Sequence, residues 1–276
     1  MYMEVVRKDQ YTLLCVHRPP VSDEWVAYTS YIGNLLDSRP IHQGFLEPFS
    51  AYQSSTTVTE LSGENSPQSI WLTEKDQEDY GDDMTIVHPS ECDLVVIMDK
   101  QPLGWQRLLK RILACHILKK IPGSILFAHK PRWPLHHILI VVRAHETDEL
   151  ALKWVERLAV PSEAKITLMP IVPPYPRLHQ NDVKINEGID ALMAPNTYCG
   201  EALHRYVRRL DQLNLQGTVC WKQGNPEHQI RREVRDTNHD LIVIAGEPFG
   251  RFSRWFLGEL VGPLLGKSDR PVLIAR

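Results

Sequence analysis

The sequence has no long hydrophobic run. No apolar stretch approaches the roughly 18 to 20 residues that cross a bilayer, and the amino-terminal stretch MYMEVVRKDQYT lacks the apolar core of a secretory signal. We therefore expect a cytoplasmic protein that is not bound to a membrane.

Cysteine and net charge are also in short supply. The five cysteines are odd in number, lie far apart and mostly sit inside apolar runs such as TLLCV and TVCW, which favours buried reduced thiols over a disulfide framework or a zinc site. The formal net charge is only -3, so the chain has no basic field that would attract nucleic acid. Nucleic acid is therefore not an expected partner.

The usual catalytic patterns are missing as well. The chain has no Gly-x-Ser-x-Gly motif, no Cys/His pair at a plausible spacing and no paired carboxylates in an apolar setting. His136 and His137 adjoin, but consecutive strand residues point to opposite faces of a sheet and do not easily share a metal ion. The sequence predicts no catalytic residue and no metal site, and hence a protein that is not an enzyme.

What the chain does contain is an internal repeat. Its 276 residues suit two domains of roughly 100 to 150 residues each. Three stretches recur in the same order: residues 11–20 resemble 166–176 (YTLLCVHRPP and ITLMPIVPPYP), 57–70 resemble 218–230, and 91–104 resemble 238–250. The repeat predicts two similar domains, 1–133 and 134–276, which meet at the proline-interrupted stretch KPRWP.

The second half alternates strand-like and helix-like stretches. Five short apolar runs predict strands: HILIVV, KITLMPIV, TVCWKQ, DLIVIAG and RPVLIAR. Stretches with apolar residues at helical spacing separate them, as in DELALKWVERLAV. This alternation predicts an α/β fold with a doubly wound parallel sheet, in which ligands bind beyond the carboxyl ends of the strands.

The first half is predicted to be incomplete. The repeat equates YTLLCV with the second strand of the second half, yet only about ten residues precede it, and a parallel crossover needs a dozen or more. We therefore expect the first domain to lack or remodel its first strand and helix, unless Met1 is not the true start of the folded unit. The short linker also predicts that the two halves pack as a pseudo-twofold pair. A homodimer and an unidentified protein partner are left open.

Three segments of the second half resemble a known family. They are GNP at 224–226, DLIVIAG at 240–246 and the tail FSRWFLGELVGPLLGKSDRPVLIAR at 252–276. In these segments the chain resembles the universal stress protein family in its tandem, two-domain form. The resemblance covers nearly all of 137–276 and about the last two thirds of the first half, and it implies the strand order 3-2-1-4-5 and a role in a stress response.

Members of this family that bind ATP resemble one another in a loop written G-x2-G-x9-G-(S/T), whose backbone N–H groups cradle phosphates. Aligned backwards from Gly258, the two earlier glycine positions fall on Ala245 and Pro248. The hydroxyl position falls on Glu259, whose carboxylate would repel a phosphate oxygen. The resemblance therefore implies a degenerate nucleotide loop.

Other positions of the implied nucleotide site are mixed. Gly246 and Gly250 lie near the loop but out of register. Arg143 stands where the family commonly has an aspartate that helps to hold the nucleotide, while Ile171 falls on the adenine-contacting position and is compatible with it. An isoleucine in a strand, however, is far more often plain core.

These departures lead to one expectation and two alternatives. We expect a stress-response protein that acts by binding rather than by catalysis, with no cofactor. In the first alternative Arg251 and Arg254 hold phosphate, and the second domain's loop binds ATP or AMP as a regulatory switch. In the second alternative the protein is a weak ATPase.

Overall fold

A computed structural model of the chain describes residues 11–17, 22–44, 59–60, 70–72, 92–98, 121–142, 148–171, 198–222, 225–246 and 260–276. The chain divides into two compact units, Met1–Pro131 and Arg132–Arg276. None of the helices formed by these described residues is long and apolar enough to span a membrane.

The amino-terminal unit is built around a mostly parallel sheet. Its elements are β1 (Leu13–His17), α1 (Asp23–Leu35), β2 (Pro40–Gly44), β3 (Thr59–Glu60), β4 (Ile70–Leu72), β5 (Leu94–Met98) and β6 (Ser124–Phe127). The strands lie in the order β3-β4-β2-β1-β5-β6. Neighbouring strands are parallel except for β3, which pairs antiparallel with β4.

The carboxy-terminal unit is a wholly parallel sheet with helices between its strands. Its elements are β7 (His137–Val142), α2 (Asp148–Ser162), β8 (Lys165–Pro170), α3 (Tyr198–Gln212), β9 (Gly217–Val219), α4 (Pro226–Thr237), β10 (Leu241–Ala245), α5 (Gly262–Lys267) and β11 (Val272–Ala275). The strands lie in the order β11-β10-β7-β8-β9, and every pair is parallel. When the strands are numbered within the unit and read from β9 to β11, this order is 3-2-1-4-5, as predicted.

The centre of this second sheet is buried on both faces, which is why its strands are continuous apolar runs. Every residue of β10 and all of β7 after His137 are buried. Helix α2 packs against β7 and β10 through one stripe of side chains that includes Leu152, Val155 and Leu158. The short strand β9, at the end of the sheet order, is exposed along its whole length.

Helix α4 shows how local sequence sets an element's ends. It begins after Asn225, whose side-chain oxygen accepts a hydrogen bond from the His228 backbone N at 3.2 Å, and Pro226 occupies its first turn. This is a favourable helix start, because asparagine satisfies a free N–H and proline has none to satisfy. The helix ends at Asn238, which adopts the left-handed conformation (φ 57°, ψ 48°) that asparagine tolerates better than most residues.

The predicted absence of the first strand and helix from the amino-terminal unit is wrong. The run YTLLCV forms β1, which lies between β2 and β5 just as β7 lies between β8 and β10. It is therefore the first strand of its unit, and α1 is the first helix. The repeat misled because short apolar strands of one sheet have the same burial and nearly the same composition, whatever their position in the order.

The third strand of this unit also departs from the repeat. The repeat aligned residues 57–70 with 218–230, so that Thr57 matches the start of the third strand of the second half and Ile70 matches Ile230, which lies in α4. In the structure the strand next to β2 is β4, and Ile70 begins it, whereas Thr59 and Glu60 pair antiparallel with β4 on its outer side. The error has the same origin, because a β-branched stretch does not show which neighbour it pairs with.

Two aspartates confirm the corrected equivalence. In the amino-terminal unit, Oδ2 of Asp93 accepts a hydrogen bond from the Thr12 backbone N at 2.9 Å. In the carboxy-terminal unit, Oδ2 of Asp240 accepts hydrogen bonds from the backbone N atoms of His136 (2.9 Å) and His137 (3.0 Å). Each aspartate precedes its unit's fourth parallel strand and holds the start of the first, so β1 and β7 correspond.

Candidate functional site

The carboxyl edge of the second sheet is the place where a doubly wound fold binds ligands. Because all five strands are parallel, their carboxyl ends meet at this edge. The described residues there include Val142 at the end of β7, Ile171 after β8, Gly246 after β10 and Arg276 after β11. The strand order reverses between β7 and β10, which places the expected binding crevice next to Val142 and Ala245.

Two predicted site residues flank the end of β7. The register pairs Ile244 with Val141, so Ala245 lies beside Val142 on one side. On the other side the Ile171 backbone N donates a hydrogen bond to the Val142 carbonyl oxygen at 2.7 Å. Ala245 and Ile171 are therefore two strand spacings apart, about 10 Å, and both are buried. The structure therefore brings Ala245 and Ile171 to the same edge of the sheet, where both contribute apolar surface.

Packing against β11 accounts for the glycine at position 246. Its backbone N donates to the Ala275 carbonyl oxygen at 2.6 Å. A Cβ at this position would lie 3.0 Å from Cγ of Arg276, 3.1 Å from the Ala275 oxygen and 3.2 Å from Cγ2 of Ile274. The close approach of β11 thus leaves little room for a side chain, and glycine suits the position without any ligand.

The remaining predicted positions lie outside the described residues. They are Arg143, Pro248, Gly250, Gly258 and Glu259, together with the two arginines of the first alternative, Arg251 and Arg254.

Sequence reasoning missed Arg276. It follows β11 at the carboxyl edge, and its side-chain stem passes close to Gly246. Burial lowers the pKa of its guanidinium, although arginine remains a cation at any physiological pH. The sequence showed it only as the last letter of a predicted strand. The rule that parallel strands end at one edge would have placed it near Ala245 and Gly246.

The described residues do not form a metal site. They contain no group of three or more histidine, cysteine, aspartate or glutamate side chains that could hold a metal ion.

Comparison with known proteins gives one family and a set of solved folds. The model of the universal stress protein family matches residues 134–276. A universal stress protein from Archaeoglobus fulgidus DSM 4304 is similar over 97% of this chain and 97% of its own, with a TM-score of 0.56 and 9% identity. A functionally unknown protein from Pseudomonas aeruginosa PAO1 is similar over 96% of this chain and 92% of its own, with a TM-score of 0.55 and 13% identity.

A shorter match is a universal stress protein in complex with cAMP, which covers 52% of this chain and 98% of its own, with a TM-score of 0.40 and 14% identity. A search of curated proteins gives no match. At these identities the solved structures establish likeness of fold alone. The family model, however, matches more than half of the sequence, and with the parallel strand order of the same segment it shows that the chain belongs to the universal stress protein family.

Proposed function

We propose that the protein acts in a stress response by binding rather than by catalysis, and that its second unit has lost the ordinary way of holding ATP. The observation that carries the proposal is the chemistry at the ends of β7, β8 and β10. As far as these ends are described, Val142, Ile171, Ala245 and Gly246 form them. None of these four side chains donates or accepts a proton, so they supply no general acid, base or nucleophile.

The sequence adds two departures that weaken phosphate binding. Ala245 replaces the first glycine of the family's phosphate loop, and its Cβ limits how closely a phosphate approaches the backbone. Glu259 stands at the family's serine or threonine position, and its negative charge would repel the phosphate that the hydroxyl binds in other members. Gly246, whose small size is accounted for by β11, does not restore the missing glycine.

A nucleotide-binding switch is the second candidate, and Arg276 is the observation that favours it. Its guanidinium follows β11 at the same edge as Ala245 and Gly246. A partly buried arginine binds phosphate strongly, because its fork of N–H donors matches the phosphate oxygens. In this version ATP or AMP binds through Arg276 and the loop arginines and changes the affinity for a partner.

One experiment separates the two candidates. Freshly purified protein is denatured, the supernatant is analysed by ion-exchange chromatography for released nucleotide, and Mg-ATP and AMP are titrated into native protein by calorimetry. We expect no released nucleotide, no heat of binding and no phosphate release from ATP. Bound nucleotide without hydrolysis would replace our proposal with the switch, and steady hydrolysis abolished by changing a loop residue would replace it with an ATPase.

The same calorimetry tests why ATP is excluded. Replacing Glu259 with serine and Arg143 with aspartate restores two of the family's residues. We expect a heat of Mg-ATP binding to appear, with an affinity at least tenfold above the upper limit set by the wild type, about 1.4 kcal/mol. The matched control is Asp211→Ser with Arg208→Asp, which makes the same charge change on the exposed face of α3 and should leave affinity unchanged. Equal affinities in the two double variants would reject this explanation.

A further inference from the structure

Two histidine rings touch at the amino edge of the second sheet, opposite the candidate ligand edge. His137 begins β7, and His239 lies between the end of α4 and the start of β10. Their ring centroids are 4.0 Å apart and the ring planes are inclined by 37°. His239 is fully buried and His137 is half-buried. One of the two titratable rings is therefore closed off from water.

His137 connects three strands. Its Nε2 shares a hydrogen bond with Oγ1 of Thr167 in β8 at 2.8 Å. Oγ1 of Thr167 in turn lies 3.3 Å from Oγ1 of Thr218 in β9. The backbone N of His137 donates to Oδ2 of Asp240. The ring is thus joined directly to β8 and, through Thr167, to β9.

His239 is fixed by its backbone rather than by its ring. Its carbonyl oxygen accepts a hydrogen bond from Nε of the buried Arg270 at 2.7 Å, and its backbone N donates to the Val234 carbonyl oxygen at 3.3 Å. Neither ring nitrogen has a hydrogen bond of normal geometry to another described residue. The ring is fully buried, so a proton on it would be shielded from water.

The carboxylates around the pair are already engaged with other groups, so none is free to form an ion pair with a protonated histidine. Glu233 of α4, Asp240 just before β10 and Lys165 of β8 act on one or both rings. Asp240 is already engaged with two backbone N–H groups, and Lys165 opposes a positive His137.

Glu233 is already paired. Oγ1 of Thr237 donates to its Oε1 at 2.7 Å, Sγ of Cys220 donates to its Oε2 at 3.2 Å, and Nζ of Lys222 forms an ion pair with Oε2. Burial favours the neutral acid, but these three donors outweigh it and lower the pKa of Glu233 to about 2. Its charge is therefore balanced by Lys222 before either histidine takes up a proton.

We propose that the contacting pair His137–His239 makes the carboxy-terminal unit sensitive to acid, because a proton on the pair forces apart the junction between the end of α4 and the starts of β7 and β10. The device is local: above neutral pH both rings are neutral and pack against each other. A cation here meets only the backbone carbonyls of Glu233 and Thr237 and carboxylates that are already engaged, and these do not outweigh the cost of burial.

The direction of the pH effect follows from linkage. Burial, followed by the neighbouring His137, lowers the pKa of His239 from 6.5 to about 4, and burial also lowers the pKa of His137. The unfolded chain therefore binds more protons than the folded one below pH 6.5. The stabilisation is complete above that pH and is lost as the pH falls from about 6.5 towards about 4.

The test is urea unfolding of the full chain at pH 7.5 and 5.0. For the wild type we expect His239 to raise the unfolding equilibrium constant roughly 30-fold between the two pH values. His239→Phe keeps a ring against His137 but binds no proton, so it should lose most of this increase. His136→Phe is the matched control, because His136 is adjacent in sequence but exposed, and it should keep the wild-type increase.

An equal increase in His239→Phe and in the wild type would overturn the proposal. If His239→Phe does not fold at pH 7.5, hydrogen exchange of the wild-type chain decides instead. After correction for the intrinsic pH dependence of exchange, selective loss of protection at pH 5.0 in the last turn of α4 and the first residues of β7 and β10 supports the proposal. Unchanged protection there, or a loss spread evenly over the unit, refutes it.

Discussion

Replacing Gly123 with alanine should destabilise the amino-terminal unit by about 3 kcal/mol. Gly123 precedes β6, and a Cβ on it would lie 2.1 Å from the Cys92 carbonyl oxygen and 3.1 Å from that of Asp93. Both atoms belong to the backbone that leads into β5, so neither can turn aside as a side chain would. Alanine therefore pushes apart two strands that are joined at this point by the Ser124 N to Asp93 O hydrogen bond of 2.9 Å.

The matched control for this variant is Gly217→Ala in β9. A Cβ there would meet only the Leu210 side chain, at 3.1 Å from Cδ1, and Gly217 is exposed. Because a side-chain end can shift and alanine restricts the unfolded chain, we expect a change of about 1 kcal/mol or less. Urea unfolding with hydrogen exchange to locate the weakened unit measures both variants. Similar losses in the two would show that backbone crowding is not the cause.

The fold of the second unit could be predicted because its sequence alternates two clear patterns. The run HILIVV forms β7 over the same residues, and the stretch with helical spacing from Asp148 to Val160 forms all but the last two residues of α2. In a parallel sheet buried on both faces, every strand must be apolar throughout. The amphipathic helices between the strands must then cover the faces, so that pattern and position agree.

The fold of the first unit was harder to predict, because helix α1 lacks a clear hydrophobic pattern. Helix α1 buries Tyr28, Thr29 and Ser30 alongside Trp25 and Ile32, so its buried face is not an apolar stripe. Oγ1 of Thr29 donates to the Trp25 carbonyl oxygen within the same helix at 2.9 Å, which satisfies a buried hydroxyl locally. A pattern based on hydrophobicity alone does not detect such a helix. Without α1, the preceding strand β1 could not be identified as the first strand of its unit.

The candidate site could be predicted only in part, for a different reason. The carboxyl edge follows from the topology, and the sequence placed Ala245 and Ile171 there. The role of Gly246 depends on Arg276 and Ala275, which are distant in sequence and approach it only because β11 lies beside β10. Contacts between strands of this kind are fixed by the sheet order and leave no local pattern in either segment.

Removing the Asp240 side chain should cost about 3 kcal/mol in the carboxy-terminal unit, because it leaves two backbone N–H groups without their acceptor. Asp240 is buried, and its Oδ2 accepts from His136 N at 2.9 Å and His137 N at 3.0 Å. These bonds fasten the start of β7, the central strand, to the start of β10. Asp240→Asn keeps an acceptor oxygen without the charge and should lose about half as much.

Asp93→Ala is the natural comparison, since Asp93 is the equivalent residue of the other unit. It is exposed and accepts one backbone N–H, that of Thr12 at 2.9 Å, so water can replace it and we expect a loss of about 1 kcal/mol. Thermal and urea unfolding of the three variants should rank Asp240→Ala below Asp240→Asn and both below Asp93→Ala. If Asp93→Ala cost as much as Asp240→Ala, burial of the unpaired N–H groups would not be the source of the loss. The aspartate would then act through the charge it brings to the start of each first strand, and Asp240→Asn would be as damaging as Asp240→Ala.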